Sequence, residues 1–130
     1  MGERVVKLAI LQHDEGVRLD PDRLAALYAE LGETGAEAVI AKAMEELSSR
    51  LGEVQRLSDH GKPAELARSA RLLCKVADQI GMTSFARVAD DVRATADAGD
   101  HAGQAATLAR LVRIGDRSLN AVWDLRDMTI

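Results

Sequence analysis

The sequence predicts an all-α protein: an up-and-down antiparallel four-helix bundle with a short extra N-terminal helix. Apolar residues recur at steps of three and four along most of the chain, which places them on one face of a helix. No segment alternates apolar and polar residues for long enough to predict a strand. The turns between the predicted helices are too short to carry the chain across a bundle, so consecutive helices should be antiparallel neighbours.

The first two helices are separated by a glycine. The pair Asp20-Pro21 combines an N-cap with a proline at the first helical position, and the short helix that follows ends at Gly32. Thr34 has a glutamate three residues later, the capping-box spacing, and predicts the start of a long helix that runs to about Ser58. The apolar face of this long helix is Ile40, Ala43, Leu47, Leu51, Val54 and Leu57.

The third helix begins after a break. Pro63 fits the first turn of a helix and disfavours helix in the residue before it, and Gly81 stands where a left-handed C-cap is expected. Between them, apolar residues alternate in steps of four and three, which predicts a continuous buried seam. The seam consists of Leu66, Ala70, Leu73, Ala77 and Ile80.

Two more helices complete the bundle. Thr83 or Ser84 is the predicted N-cap of the fourth helix, which Gly99 closes, and Asp100 is the predicted N-cap of the last. Their inner faces are Phe85, Val88, Val92 and Ala96 in the fourth helix, and Leu108, Leu111, Gly115, Leu119, Val122 and Leu125 in the last. Trp123, Met128 and Ile130 are expected to close the bundle end.

The chain is expected to form a single domain. Two domains within 130 residues would each be too small, so we assign residues 20–130 to one bundle and residues 1–19 to an N-terminal extension of undetermined structure. Gly52 and Gly115 fall inside predicted helices, where each costs ~1 kcal/mol relative to Ala. We therefore expect them to mark close helix contacts or kinks.

Composition excludes several functional classes. A net charge of -4 provides no general basis for binding nucleic acid, which needs clustered Lys and Arg. A single cysteine, Cys74, cannot form an internal disulfide and fits a reducing compartment. The apolar run at residues 5–11 contains Lys7 and is too short to span a bilayer. We expect a cytoplasmic protein, not bound to membranes, with no cofactor and no metal ion.

The run "GMTSFARVADDVRATADAGD", residues 81–100, resembles the segment after the active helix of histidine-containing phosphotransfer (HPt) domains. In that family a Gly ends the active helix, an apolar-Ala pair follows, another apolar residue comes seven positions after the first, and an Ala-Gly-Asp turn closes the next helix. The matching residues here are Gly81, Phe85-Ala86, Val92 and Ala98-Gly99-Asp100. The resemblance extends more weakly over residues 19–125 and implies a role in two-component phosphorelay signalling.

The chain departs from the family at the active position. The family motif is His-x-x-Lys-Gly, with the helix-ending Gly ten residues after the His. Counting back from Gly81 places Arg71 in the His position, Cys74 in the Lys position and Lys75 in the Gly position. A shift by one residue aligns Lys75 with the Lys but places Leu72 in the His position, so neither register supplies a histidine.

This substitution predicts a loss of chemistry. A phosphorelay histidine attacks through a neutral imidazole nitrogen, whereas a guanidinium stays protonated and has no free lone pair. Arg71 can therefore bind a phosphoryl group but cannot relay one, and the side chain of Lys75 would crowd an incoming partner. We expect a pseudo-phosphotransferase that is not an enzyme.

The residues left on this helix suggest a docking site. Arg68, Arg71 and Lys75 are three and four residues apart and form a basic stripe, with Lys75 partly paired to Asp78. The stripe is either a solvated helix face or a docking surface for an acidic receiver domain or a histidine kinase. Cys74 is either a small buried residue or a thiol whose pKa its basic neighbours lower. The candidate docking residues are Arg68, Arg71, Cys74, Lys75 and Asp78.

Two other functions remain open. In one, the protein transfers phosphoryl groups through a histidine elsewhere, and His60 is favoured over His13 and His101 because it directly precedes the active-helix segment. In the other, the chain is a structural helical protein whose Ala-rich seams, or residues 5–11, pair in a two-fold dimer.

Overall fold

The computed structural model describes residues 18–129, with side chains described as far as residue 121. The four helices are α1 (Pro21–Asp59), α2 (Pro63–Gln79), α3 (Thr83–Asp97) and α4 (His101–Thr129). Each helix packs against the next, and α4 returns to contact α1, so the four form an antiparallel bundle. Helices α2 and α4 lie diagonally across the bundle, and within the described residues no Cα atom of one is within 8 Å of a Cα atom of the other. The predicted fold is confirmed.

The short extra helix is the first part of α1. Gly32 has φ 75° and ψ 173°, which breaks α1 into the predicted short and long segments. Asp20 caps the short segment, because its carboxylate accepts hydrogen bonds from the backbone N–H groups of Asp22 and Arg23 at 3.0 and 3.3 Å. Arg23 in turn donates from Nε to the carbonyl of Gln79 at 3.0 Å, which ties this segment to the end of α2.

The hydrophobic core follows the predicted faces. All five residues of the α2 seam are fully buried. On α3, Phe85 is 1% exposed and fills the space between α1 and α4, where a Cβ on Gly115 would lie 3.0 Å from both Phe85 Cε2 and Leu51 Cδ2. Gly115 therefore marks a close helix contact, as expected. Gly52 does not: it is exposed, has no neighbour within 4 Å of a built Cβ, and lies in regular helix.

The start of α3 differs from the prediction. Neither Thr83 nor Ser84 is the N-cap; that position is Met82, which makes no side-chain cap hydrogen bond. The backbone carbonyl of Arg18 takes over this role, accepting from Thr83 N at 3.1 Å and from Thr83 Oγ1 at 3.1 Å. Ser84 Oγ accepts from Arg18 N at 2.8 Å. A distant segment thus satisfies the helix end, and Leu19, 5% exposed, forms a single antiparallel bridge with Met82.

Asp100 caps α4 as predicted, accepting from Gly103 N at 2.9 Å.

None of the helices described over residues 18–129 is both long and apolar enough to cross a membrane. The expectations for residues 1–17, including the apolar run 5–11 and His13, lie outside the described residues, as do those for the side chains of Trp123 and Met128 and for Ile130.

Candidate functional site

The candidate docking residues lie on the solvent-facing side of α2. Arg68, Arg71 and Lys75 are exposed, while the opposite side of the helix enters the core. Leu72 lies among these three cations and is 42% exposed, one of the few large apolar side chains left in solvent. We call Arg68, Arg71, Leu72 and Lys75 the α2 face.

The cations of the α2 face are not neutralised internally. Within residues 18–121, neither Arg68, Arg71 nor Lys75 takes part in an ion pair shorter than 4.0 Å. The expected pairing of Lys75 with Asp78 is absent there; the Asp78 carboxylate lies beside Cys74 instead, with Oδ2 4.0 Å from Sγ. The charges of the α2 face are therefore available to a partner.

Cys74 occupies a different environment from the one expected of an exposed thiol. The residue is half-buried. Burial raises the pKa of the Cys74 thiol, the carboxylates of Asp78 and Asp90 raise it further, and the charge of Arg93 opposes them only in part. The expected lowering by Arg71 and Lys75 does not occur, because burial and the two carboxylates outweigh the charge of Arg93. Cys74 remains a protonated thiol at neutral pH.

On its α3 side, the α2 face borders an acidic cluster, which we define as Asp78, Asp90 and Asp97 together with Arg93. Arg93 donates from Nε to Asp90 at 2.7 Å and from Nη1 to Asp97 at 2.9 Å. The hydrogen bond from Arg93 lowers the pKa of Asp90 most, and the charges of Arg93 and Arg71 act in the same direction. Arg71 therefore lies at the boundary between the α2 face and this acidic cluster.

On its other side, the α2 face borders an open groove between α1 and α2. One part of the groove, about 270 Å³, is lined by Arg50, Glu53, Glu65, Arg68, Ser69 and Leu72. The other part, about 300 Å³, is lined by Glu53, Arg56, Leu57, His60, Lys62 and Glu65. Glu53 and Glu65 line both parts, so the two are neighbours between α1 and α2, and we call them together the α1–α2 groove, which extends from Leu72 to the turn between the helices.

The hydrogen bond of His60 defines which ring nitrogen carries the hydrogen. The residue is exposed at the end of α1, and its Nδ1 lies 2.7 Å from the carbonyl oxygen of Arg56. A carbonyl can only accept, so Nδ1 carries the hydrogen and Nε2 of the neutral ring keeps its lone pair. His101 is the exposed first residue of α4. No group of three His, Cys, Asp or Glu side chains within the described part of the chain is placed to hold a metal ion.

Sequence reasoning missed Leu72 and the α1 wall of the groove. Leu72 follows Arg68 by four residues and precedes Lys75 by three, so it shares their face and not the buried seam. That spacing was a readable signal of an apolar residue inside a basic stripe. No such signal identifies Arg56 or Glu53 as neighbours of α2, because only helix packing brings them together.

No family model, no curated protein and no solved structure matches this chain.

Proposed function

We propose that this protein is an HPt-like interaction domain that binds an acidic receiver domain, or the histidine kinase that acts with it, through the α2 face and does not relay phosphoryl groups there. The observation that carries the proposal is the position of Arg71. It is solvent-exposed in the middle of α2, has no ion-pair partner among the described residues, and stands where the resemblance to HPt domains implies a histidine.

The α2 face has the composition of a docking surface. Its exposed Leu72 supplies apolar area that a partner can remove from water, and Arg68 and Lys75 flank it with unpaired charge. Apolar contact contributes most of the affinity, while the cations direct encounter and orientation. The charge of Arg71 is near enough to lower the pKa of Asp90 slightly, after the larger effect of Arg93, but Arg71 makes no ion pair with Asp90.

The proposal excludes transfer on α2 for a chemical reason. The described helix carries no histidine, and the guanidinium of Arg71 offers hydrogen-bond donors only. Such a group can contact the acidic, phosphorylatable pocket of a receiver domain. The domain therefore binds or sequesters its partner.

Charge reversal on the α2 face tests the proposal. Affinity for receiver domains from the same organism should fall about tenfold or more in Arg71→Glu and Lys75→Glu, which corresponds to roughly 1.4 kcal/mol. Arg110→Glu is the matched control, because Arg110 is exposed on α4, diagonal to α2. Titration calorimetry at two salt concentrations measures the change. Equal affinity of all three variants and the native chain would remove the docking proposal.

A second function is favoured by the geometry of His60. Its Nε2 lone pair is exposed, and Arg56 and Lys62 line the same part of the groove, where they can neutralise a phosphoryl group. In this reaction Nε2 attacks the phosphorus of an aspartyl phosphate on a receiver, an N–P bond forms, and the aspartate carboxylate leaves.

Transfer to His60 predicts an acid-labile phosphate on this protein after incubation with a labelled phosphorylated receiver. His60→Ala should lose the label, and His101→Ala should keep it. Label that persists in His60→Ala, or its absence from the native chain, rejects this second function.

A further inference from the structure

The two sides of the α2 face carry opposite charge. Toward α3, the acidic cluster holds three aspartates and one arginine, and Arg93 binds two of them, Asp90 and Asp97, so the cluster is net negative. Toward α1, the groove is lined by four cations and two glutamates. Arg50 is paired with Glu46 at 3.1 Å, whereas Arg56, Lys62 and Arg68 have no ion-pair partner within the described part of the chain. An acidic partner on α2 is repelled from α3 and attracted toward α1.

The charges in the groove are also ordered along its length. Arg68 lines only the part next to Leu72, Arg56 and Lys62 line only the part next to the turn, and Glu53 and Glu65 line both. The pattern along the groove is therefore cationic, acidic, cationic. Lys62 and Arg68 are six residues apart, which corresponds to about 9 Å along a helix axis.

We propose that the α1–α2 groove binds a partner segment with the complementary order of charges: an acidic residue at each end, a basic residue between them, and an apolar side chain against Leu72. This inference takes the acidic partner from the proposed function and adds where the partner lies and what its segment must look like. Glu53 and Glu65 supply the selectivity, because a continuous acidic run places like charges opposite them. Cys74 and Asp78 fall outside the contact surface.

A pair of peptides tests this ordering. The first is a six-residue peptide with leucine at one end, glutamate at positions two and six, and lysine at position four; the second has glutamate at position four. Each is made in both chain directions and titrated into the full-length ¹⁵N-labelled protein, with amide shifts followed by NMR. Simple attraction to basic residues favours the second peptide, which carries more negative charge. The proposed groove favours the first, by about fivefold or more, with shifts at residues 53–72.

Variants separate the proposal from a loss of fold. In Glu53→Gln/Glu65→Gln the preference for the first peptide should disappear, while both peptides still bind. In Lys62→Glu binding of the first peptide should weaken several-fold, and Arg110→Glu should leave it unchanged. Equal or tighter binding of the second peptide to the native chain, shifts centred on Asp90 and Arg93, or no shifts at all would overturn the groove proposal.

The outcome is independent of the receiver experiment. Receiver binding that depends on Arg71 but comes with no peptide preference removes only the groove proposal. A peptide preference at the groove without any receiver binding removes only the proposed function.

Discussion

Arg71 and Cys74 are three residues apart on α2 but differ in their exposure to solvent. Arg71 reaches solvent beside Leu72, whereas the thiol of Cys74 is half-buried between Asp78 on its own helix and Asp90 on α3. Both residues are near Asp90 of α3, but Cys74 is half-buried against that helix whereas Arg71 is surrounded by solvent. The positive charge of the basic stripe therefore does not determine the pKa of Cys74, which lies next to it.

The environment of Cys74 predicts low thiol reactivity. Burial and two carboxylates disfavour the thiolate, which holds the pKa of Cys74 above its usual value, so alkylation by iodoacetamide at pH 7.5 should be slow. In Asp78→Asn the loss of a negative charge lowers that pKa, and the rate at pH 7.5 should rise by roughly two- to fivefold.

Rate measurements between pH 7 and 10.5 check this. The midpoint of the rate profile should move to lower pH in Asp78→Asn, while the rate at the high-pH plateau stays the same. Asp59→Asn, at the exposed end of α1, serves as the control. An unchanged midpoint in Asp78→Asn contradicts the assignment.

At the scale of the element, the starts of the helices are capped in more than one way. Asp20 and Asp100 cap their own helices through side chains, as the sequence predicts. The start of α3 instead depends on Arg18, which is 65 residues away from Thr83 in the chain. Local capping signals therefore locate the start of a helix. They predict which group accepts hydrogen bonds from its first N–H groups only where no distant backbone carbonyl does so.

Two glycines inside helices should respond oppositely to substitution. Gly52→Ala should stabilise the protein by about 0.5–1 kcal/mol, because alanine restricts the unfolded chain and its Cβ meets nothing. Gly115→Ala places a Cβ 3.0 Å from Leu51 Cδ2 and Phe85 Cε2, and overpacking of about 1–3 kcal/mol offsets that gain. Urea denaturation measures both. A Gly115→Ala protein as stable as Gly52→Ala contradicts the close contact.

At the scale of the whole molecule, one core joins all four helices. The core is built from Leu, Ile, Val, Met and Ala, and Phe85 is its one fully buried aromatic ring within the described residues. Because α3 contacts both α2 and α4, and Phe85 reaches α4, changes at this position are shared across the bundle. Such a core should unfold as a single cooperative unit.

Phe85→Ala should therefore lower the free energy of unfolding by about 3–5 kcal/mol. The helical circular dichroism signal and the protection of backbone amides from hydrogen exchange should be lost together in all four helices. Phe85→Leu should cost less, since most of the volume remains. Leu31→Ala, where the leucine is 45% exposed, should change stability by only ~0.5 kcal/mol. Loss confined to α3 and α4 would contradict a shared core.

Most of the fold follows from residue spacing. Periodicity predicted the helix order, the complete burial of the α2 seam, and the break at Gly32, because these depend on residues close together in the chain. Spacing also placed Arg68, Arg71 and Lys75 on one exposed face. Their functional assignment rests on the resemblance to HPt domains and stays a prediction.

The remainder depends on contacts between helices. The burial of Cys74 that raises its pKa most depends on helix packing, the start of α3 is completed by Arg18, and the close contact at Gly115 involves Leu51 and Phe85. At the start of α3 and at Gly115, the contacting atoms belong to residues more than ten positions away in the chain. The spacing of nearby residues does not predict which distant residues will make such contacts.

The sequence by itself determined that this protein is a helical bundle, where its helices begin and end to within a few residues, and that Arg68, Arg71 and Lys75 share one exposed face of α2. Only the tertiary structure decided which flank of α2 is acidic, which flank opens into a groove, and that Glu53 and Glu65 line the middle of that groove. The reason is physical: helical periodicity orients each side chain about its own axis, whereas the field it meets comes from the helix packed beside it.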